Sequence, residues 1–311
     1  MLLDKVTEIF VSVDDFCLEF ENVFKQARLE GSEGKRLRDR KTGLCESEVI
    51  TILILFQGSG HRNFKAFYTG HVMHGMRGCF PGAVSYNRFI ELSHRCGIPF
   101  MLFIHHCCRG RCTGISFIDS TVLRVCHSKR AKRNRVFRDV AHSGKSTMGW
   151  FFGFKLHLII NDKGEMLSFY LTKGNVDDRD LKVITRMTEE IFGRLFGDKG
   201  YISKALSDIL FGDGIQLITH VRRNMKQVAL SNEERLLLRK RSVIETVNDQ
   251  LKNICHAEHT RHRSISGFLL NLMGALAAYS FFEKKPSITP IVKETDPSVL
   301  DTNVMQLRLA A

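Results

Sequence analysis

The sequence predicts a mixed α/β protein: a sheet with helices on its faces, preceded by a helical region. Three observations carry this. Over residues 1 to about 110, apolar side chains recur at spacings of three and four, the period of amphipathic helices. Beyond that point, short apolar and β-branched runs alternate with helical ones in the order strand, hairpin, helix, strand, helix, strand, helix. Two of those runs, WFFGFKLHLIIND and GEMLSFYLTKGN, meet at an Asn-Asp-Lys-Gly turn, the mark of a hairpin.

Each element has its own signal. DKVTEIFVSVDDFCLEFENVFKQA reads as a long helix, and CESEVITILILFQ as a second opened by Ser47. SYNRFIELSHRCGIPFMLFIHHCC reads as one or two helices broken near Gly97 and Pro99. GISFID is expected to be a short strand ending at Asp119. The helix in DDRDLKVITRMTEEIF carries acids at its start, where the helix dipole favours them. RLFGDKGY is a brief strand, followed by a helix over about 203–211 and the strand IQLITHV. Residues 231–254 read as helical with a break near Arg239. GFLLNLMGALAAYSFF is apolar for sixteen residues with Asn271 inside, too short for a bilayer, which needs about 20. It is expected to be a buried helix.

Composition narrows the function. Forty-six Lys and Arg against 33 Asp and Glu give a net charge of +13. Such an excess favours a polyanionic partner, most often nucleic acid. An anionic membrane is disfavoured, since no basic amphipathic helix is evident. The nine cysteines are scattered, and the start, MLLDKVTEIF, does not resemble a signal peptide, so reduced thiols in a cytoplasmic protein are expected. HHCCRGRC (105–112) fits a zinc site poorly, because adjacent ligands crowd one tetrahedral ion. His256, His259 and His262 are expected to meet DNA or solvent.

The chemistry rests on three acids. Asp119 follows an apolar run in SFIDST. Asp198 follows another in LFGDKGY, where Gly197 and Gly200 allow a sharp turn. Glu245 lies in RKRSVIETVNDQLKN, where Arg241, Glu245, Asn248 and Lys252 recur near one helix face. Singly, Asp119 reads as a turn or helix-cap residue, Asp198 as a turn residue and Glu245 as half of a solvated ion pair. Together, two strand-end aspartates and a helix glutamate can converge at one sheet edge. A divalent cation would then have to neutralise them. Carboxylate oxygens suit Mg²⁺ or Mn²⁺, and two such ions can serve in-line phosphoryl transfer.

With FIDST, GDKGY and Arg241-x3-Glu245-x6-Lys252 in order, about 80 and 47 residues apart, the sequence resembles a DDE transposase of a bacterial insertion sequence. MGWFFGFKLHLIINDKGE and TKGNVDDRD are similar to the 982 family of insertion sequences in particular. The resemblance implies a ribonuclease H-like fold of the retroviral integrase type, with a mixed five-stranded sheet flanked by helices. It implies that Asp119, Asp198 and Glu245 are catalytic and bind metal, two Mg²⁺ or Mn²⁺ ions. It implies cutting at element ends and transfer of a 3′-hydroxyl into target DNA, without a covalent protein–DNA intermediate. Partners would be double-stranded DNA, as terminal inverted repeats and target, and further copies of the chain in a dimer or higher multimer. The place of action would be the bacterial cytoplasm, at the nucleoid. One departure stands out: related signatures carry a Tyr three residues before the Arg, and here that residue is Leu238. Two other readings remain, a metal-dependent endonuclease without strand transfer and a silent DNA-binding regulator.

The expected division is a helical region 1–110 for DNA-end binding or dimerisation, a catalytic domain 111–285 with a basic insertion 124–149, and a tail 286–311. The insertion holds Arg124, Lys129, Arg130, Lys132, Arg133, Arg135, Arg138 and Lys145 against the single acid Asp139. Lys129, Arg130, Lys132, Arg133 and Arg135 are expected to meet DNA phosphates, as are Arg241, Lys252, Lys199 and Tyr201 near the acids. Arg222, Arg223, Lys226, Arg239, Lys240, Arg261 and Arg263 could extend that surface. SYNRFIEL is a candidate recognition helix through Asn87 and Arg88. Trp150 is expected in the core, with stacking on unpaired DNA as the alternative.

Overall fold

The computed structural model describes residues 2–31, 43–221, 224–225, 229–258 and 262–288. The basic loop around 32–42, Arg222, Arg223, Lys226, His259, Arg261 and the tail from 289 lie outside the described residues.

Helix α1 (Leu2–Gly31) is followed by α2 (Glu46–Gly58). Cys45, not Ser47, caps α2. Its Sγ accepts the Glu48 N–H, while Glu48 reaches back to the Cys45 N–H at 2.8 Å. Ser47 instead donates to Asp14 on α1. A short α3 (Phe64–Phe67) runs into a π-helical stretch (Tyr68–Gly75). The predicted pair near Gly97 appears as α4 (Tyr86–Arg95) and α5 (Gly97–Cys107).

The sheet begins with β1 (Ile115–Cys126). This strand is twice the expected length, so Asp119 lies within it and not at its end. The insertion carries a 3₁₀ helix (Ser128–Arg133) and a short strand β2 (His142–Ser146). The predicted hairpin is β3 (Gly149–Asn161) and β4 (Met166–Lys173). Asp180 caps α6 (Leu181–Thr188), and β5 (Gly193–Gly197), α7 (Lys204–Gly212) and β6 (Ile215–Thr219) follow. Then come α8 (Asn232–Lys240), α9 (Ser242–Asp249) with a π-helical turn (Gln250–Ile254), and α10 (Ile265–Ser280).

The sheet has six strands where five were expected, because the insertion adds β2. The order is β2-β3-β1-β5-β6, with β4 also on β3. Residues 149–153 of β3 pair with β2 and residues 154–160 with β4, so the two share one edge. The hairpin strands are antiparallel, and β1-β5-β6 are parallel. The sheet is mixed, as its helical crossovers require.

Two apolar clusters cover the sheet faces. Phe117, Leu123, Phe154, Leu158 and Phe196 join the N-terminal helices, α9 and α10 on one side. Ile118, Ile159 and Leu195 join α6 and α7 on the other. Alternation along each strand sorts the residues between them. Helix α10 packs on α2, α4 and α5. Asn271, in its middle, accepts Gln57 Nε2 at 2.9 Å and donates to the His256 carbonyl at 3.1 Å. No helix among the described residues is long and apolar enough to cross a membrane.

Candidate active site

The site is set by register. Ile115, Ser116 and Phe117 of β1 pair in parallel with Arg194, Leu195 and Phe196 of β5. Continuing two residues brings Asp119 level with Asp198, where β5 has just ended. Both acids share the strand parity of Phe117 and Phe196, so they project toward the face that α9 covers. Asp198 is extended, and its Oδ1 accepts the Gly200 N–H at 2.8 Å, starting a 3₁₀ turn. The break after β5 thus comes from Gly197, Asp198 and Gly200 together.

Helix α9 completes the group. Asn248 Nδ2 donates to Asp119 Oδ2 at 3.0 Å. The Arg241 guanidinium binds Glu245 and lies 4.0 Å from Asp119 Oδ1. Arg241 therefore links the helix acid to the strand acid. Its Nη1 is buried without a hydrogen-bond partner, and so is Asn248 Oδ1. Burial raises the Asp119 carboxyl, Arg241 pulls it down, and Asp198 and Glu245 push it up, for a net rise to about 6. Asp119 thus feels both other acids. Among the described residues, no three His, Cys, Asp or Glu side chains are gathered closely enough to hold a metal ion as placed. The donor chemistry still fits a hard divalent cation, since Asp119 and the two acids that act on it, Asp198 and Glu245, all offer carboxylate oxygens.

The remaining predicted residues divide. Lys252 does not pair with Glu245; it meets Glu258 at 3.3 Å. Glu258 also accepts the Arg124 N–H at 3.3 Å and its guanidinium at 3.4 Å. The chain reaches this position because His256 adopts φ 49°, a left-handed turn that ends the helix. Lys199 is exposed beside Asp198. Tyr201, expected at the DNA surface, is packed in the core at 2% exposure. Leu238 is also buried, so its apolar character suits its place on the inner face of α8. Lys129, Arg130, Lys132, Arg133 and Arg135 are all exposed, and none forms an ion pair with a described carboxylate.

Behind β1, on the opposite face, Asp178 accepts Ser120 Oγ at 2.8 Å and Lys155 Nζ at 3.1 Å. A cavity of about 360 Å³ opens there between Lys145, Lys155, Arg179 and Gly200. Sequence reasoning missed Glu258 and Lys155. An acid after a helix end and a Lys inside an apolar strand are weak signals alone. Asn248 stood on the predicted helix face but carried no assigned role. Near the zinc-like run, Arg109 lies 2.9 Å from His105 Nδ1, and all nine cysteines are free.

Comparison with solved structures shows the class of fold. A piggyBac transposase, in a cryo-EM structure of its synaptic complex with hairpin DNA, is similar over 89% of this chain and 71% of that one, with a TM-score of 0.50 at 12% identity. The architecture, mixed sheet and helical preface together, is thus one that a transposase uses. The sequence gives the family: residues 109–265, just over half of the chain, match the transposase DDE domain, and the chain belongs to that family. The matched span contains Asp119, Asp198 and Glu245. No curated protein matches the sequence.

Proposed function

We propose that this protein is the DNA transposase of a bacterial insertion sequence similar to the 982 family. On this reading it has a ribonuclease H-like catalytic domain that binds element ends, cuts them and transfers a 3′-hydroxyl strand to target DNA. One observation carries the reading: the register of two parallel strands brings Asp119 level with Asp198 just past the end of β5, and Arg241 bonds Glu245 while lying 4.0 Å from Asp119.

In this reading Asp119, Asp198 and Glu245 would hold Mg²⁺ or Mn²⁺, two ions in all. When bound, the metal supplies Lewis acidity to the attacking and departing oxygens. The chain's own residues set the stage. Asn248 fixes the rotamer of Asp119 through its amide. Arg241 orients Glu245 and offsets like-charge repulsion among the acids. Glu258 holds Lys252 and Arg124 in place, so that both can meet phosphate near the acids. The exposed cations of the insertion supply sequence-independent attraction to the DNA backbone. The helices of residues 1–110 remain the proposed element for end recognition or dimerisation.

The test is incubation of the full chain with plasmid carrying the genomic DNA that flanks its gene, in Mg²⁺ or Mn²⁺. Joined products bearing the element end support the reading. Nicks that never lead to joined strands would instead mean hydrolysis alone, and binding without cuts a silent DNA-binding regulator.

A further inference from the structure

The only tryptophan of the chain is not in the core. Trp150 is 68% exposed, and Met148 beside it is 85% exposed. Both stand at the turn where β2 passes into β3, and Gly149 takes φ +104° there, with open space around it. An aromatic ring removes some 150–250 Å² from water when buried, so leaving it out forgoes a large stabilisation. Nothing in the fold requires Trp at this tip.

The surroundings specify what would cover it. Ser128 Oγ donates to the Trp150 carbonyl at 2.9 Å, tying the 3₁₀ helix to the tip. That helix presents Lys129, Arg130, Lys132 and Arg133, all exposed. Lys145 sits directly across the ladder from Trp150. None of these five cations has a described carboxylate partner. The platform is anchored: the Phe137 ring, buried, packs edge-on against Phe154 and Phe268. A rigid aromatic tip inside a field of unpaired cations suits a polyanion that also offers flat π-faces. Nucleic acid has both.

We propose that Trp150, flanked by Met148, stacks on a nucleobase of DNA whose phosphates rest on the adjacent cations. The proposal rests on the reading of the chain as a DNA-processing protein and adds a base-contacting site to it. Its position is informative. Leu158 of β3 pairs with Asp119, and Trp150 lies eight residues back along the same strand. At about 3.3 Å per residue that is roughly 25 Å, or some seven to eight base pairs from the acids. Trp150 therefore contacts the flank of the bound DNA and not the cut itself. Stacking there wedges a base step or holds a base freed from its pair.

Because Trp150 is the sole tryptophan, its fluorescence reports the contact directly. The full chain is titrated, without divalent metal, with fluorescein-labelled 30-base-pair duplex and with the same duplex carrying a short unpaired stretch. Label anisotropy follows binding, and tryptophan emission follows stacking. Quenching that saturates in step with anisotropy is expected. Trp150→Ala should weaken binding about 5- to 100-fold with an unchanged salt slope, and Trp150→Phe should restore most of it. Stronger quenching by the unpaired stretch identifies a freed base; equal quenching identifies a wedged step. Normal anisotropy with unaltered emission and full affinity of Trp150→Ala overturns the stacking site but leaves DNA binding intact. An emission change that tracks protein concentration without DNA assigns the tip to a second copy and overturns it too. No anisotropy change at all removes the proposal together with the DNA reading.

Discussion

At the acidic edge each of the three acids has a neighbour that fixes it: Asn248 and Arg241 hold Asp119, Gly200 holds Asp198, and Arg241 holds Glu245. In the basic insertion, Lys129, Arg130, Lys132 and Arg133 stand exposed without such partners. Both regions are joined by β3, which lies beside β1 at one end and carries the insertion's strand β2 at the other. On the proposed reading, the difference separates two tasks. Chemistry needs groups held within a fraction of an ångström, whereas phosphate attraction tolerates long, mobile cations.

That contrast is sharpest in activity. Asp119→Asn, Asp198→Asn and Glu245→Gln should each lower DNA cutting by about a thousandfold or more while changing affinity by no more than a few fold. Product gels in Mg²⁺ alongside anisotropy binding would check this. A variant that cuts normally would take its residue out of the site. The converse change, Lys129, Arg130, Lys132 and Arg133 all to Gln, should flatten the dependence of log K on log salt by about 3 to 4. Thermal stability should hardly move, since all four are solvated. An unchanged slope would make the insertion an ordinary surface.

The junction between the two regions is fragile. A Cβ on Gly153 would lie 2.1 Å from the Leu123 carbonyl oxygen, a backbone atom of β1. Gly153→Ala should therefore destabilise by about 2 kcal/mol or more, by denaturant melts, and disturb both regions at once. A neutral result would mean that β1 and β3 can part there without loss.

The pH-dependent effect concerns Asp119 itself. Its carboxyl is raised in the fold from 3.8 to about 6. Between those values the native state holds more protons than the unfolded one, so stability falls as pH rises through the window. Asp119→Asn removes that penalty. Without metal it should be more stable than the parent at pH 7, by up to about 3 kcal/mol, and equal to it at about pH 3 and below. Parallel melts at the two pH values decide it; an equal difference at both would point to packing and not charge.

Much of this was legible in the sequence. The succession of strands and helices along the chain followed from apolar period and turn residues, because those are local; the order of strands in the sheet did not. Asp198 was placed correctly because its glycines mark the chain break. Asp119 was misjudged as a strand end: β1 continues through Ser120 and Thr121, whose partners lie on β3. The extra strand β2 was hidden because HSGKS has no apolar alternation and pairs only at an edge. Tyr201 looked like part of a polar motif, yet one turn carries it into the core. Trp150 was misplaced for the opposite reason, since hydrophobicity alone says nothing about a hairpin tip. Glu258 depends on a backbone turn at His256, which no side-chain pattern announces.

The packing of α10 on α2 has a consequence for how the chain is made. Helix α2 buries ten of its thirteen residues, and Gly274 of α10 brings the two helices close against Leu53 and Gln57. Roughly 200 residues separate them, which at a ribosome's pace is about 10 to 40 seconds of synthesis. For that interval a strongly apolar helix has α1 and then α4 against it, but the face that α10 will cover stays open. The nascent protein is therefore most vulnerable to aggregation and most suited to chaperone capture until α10 emerges.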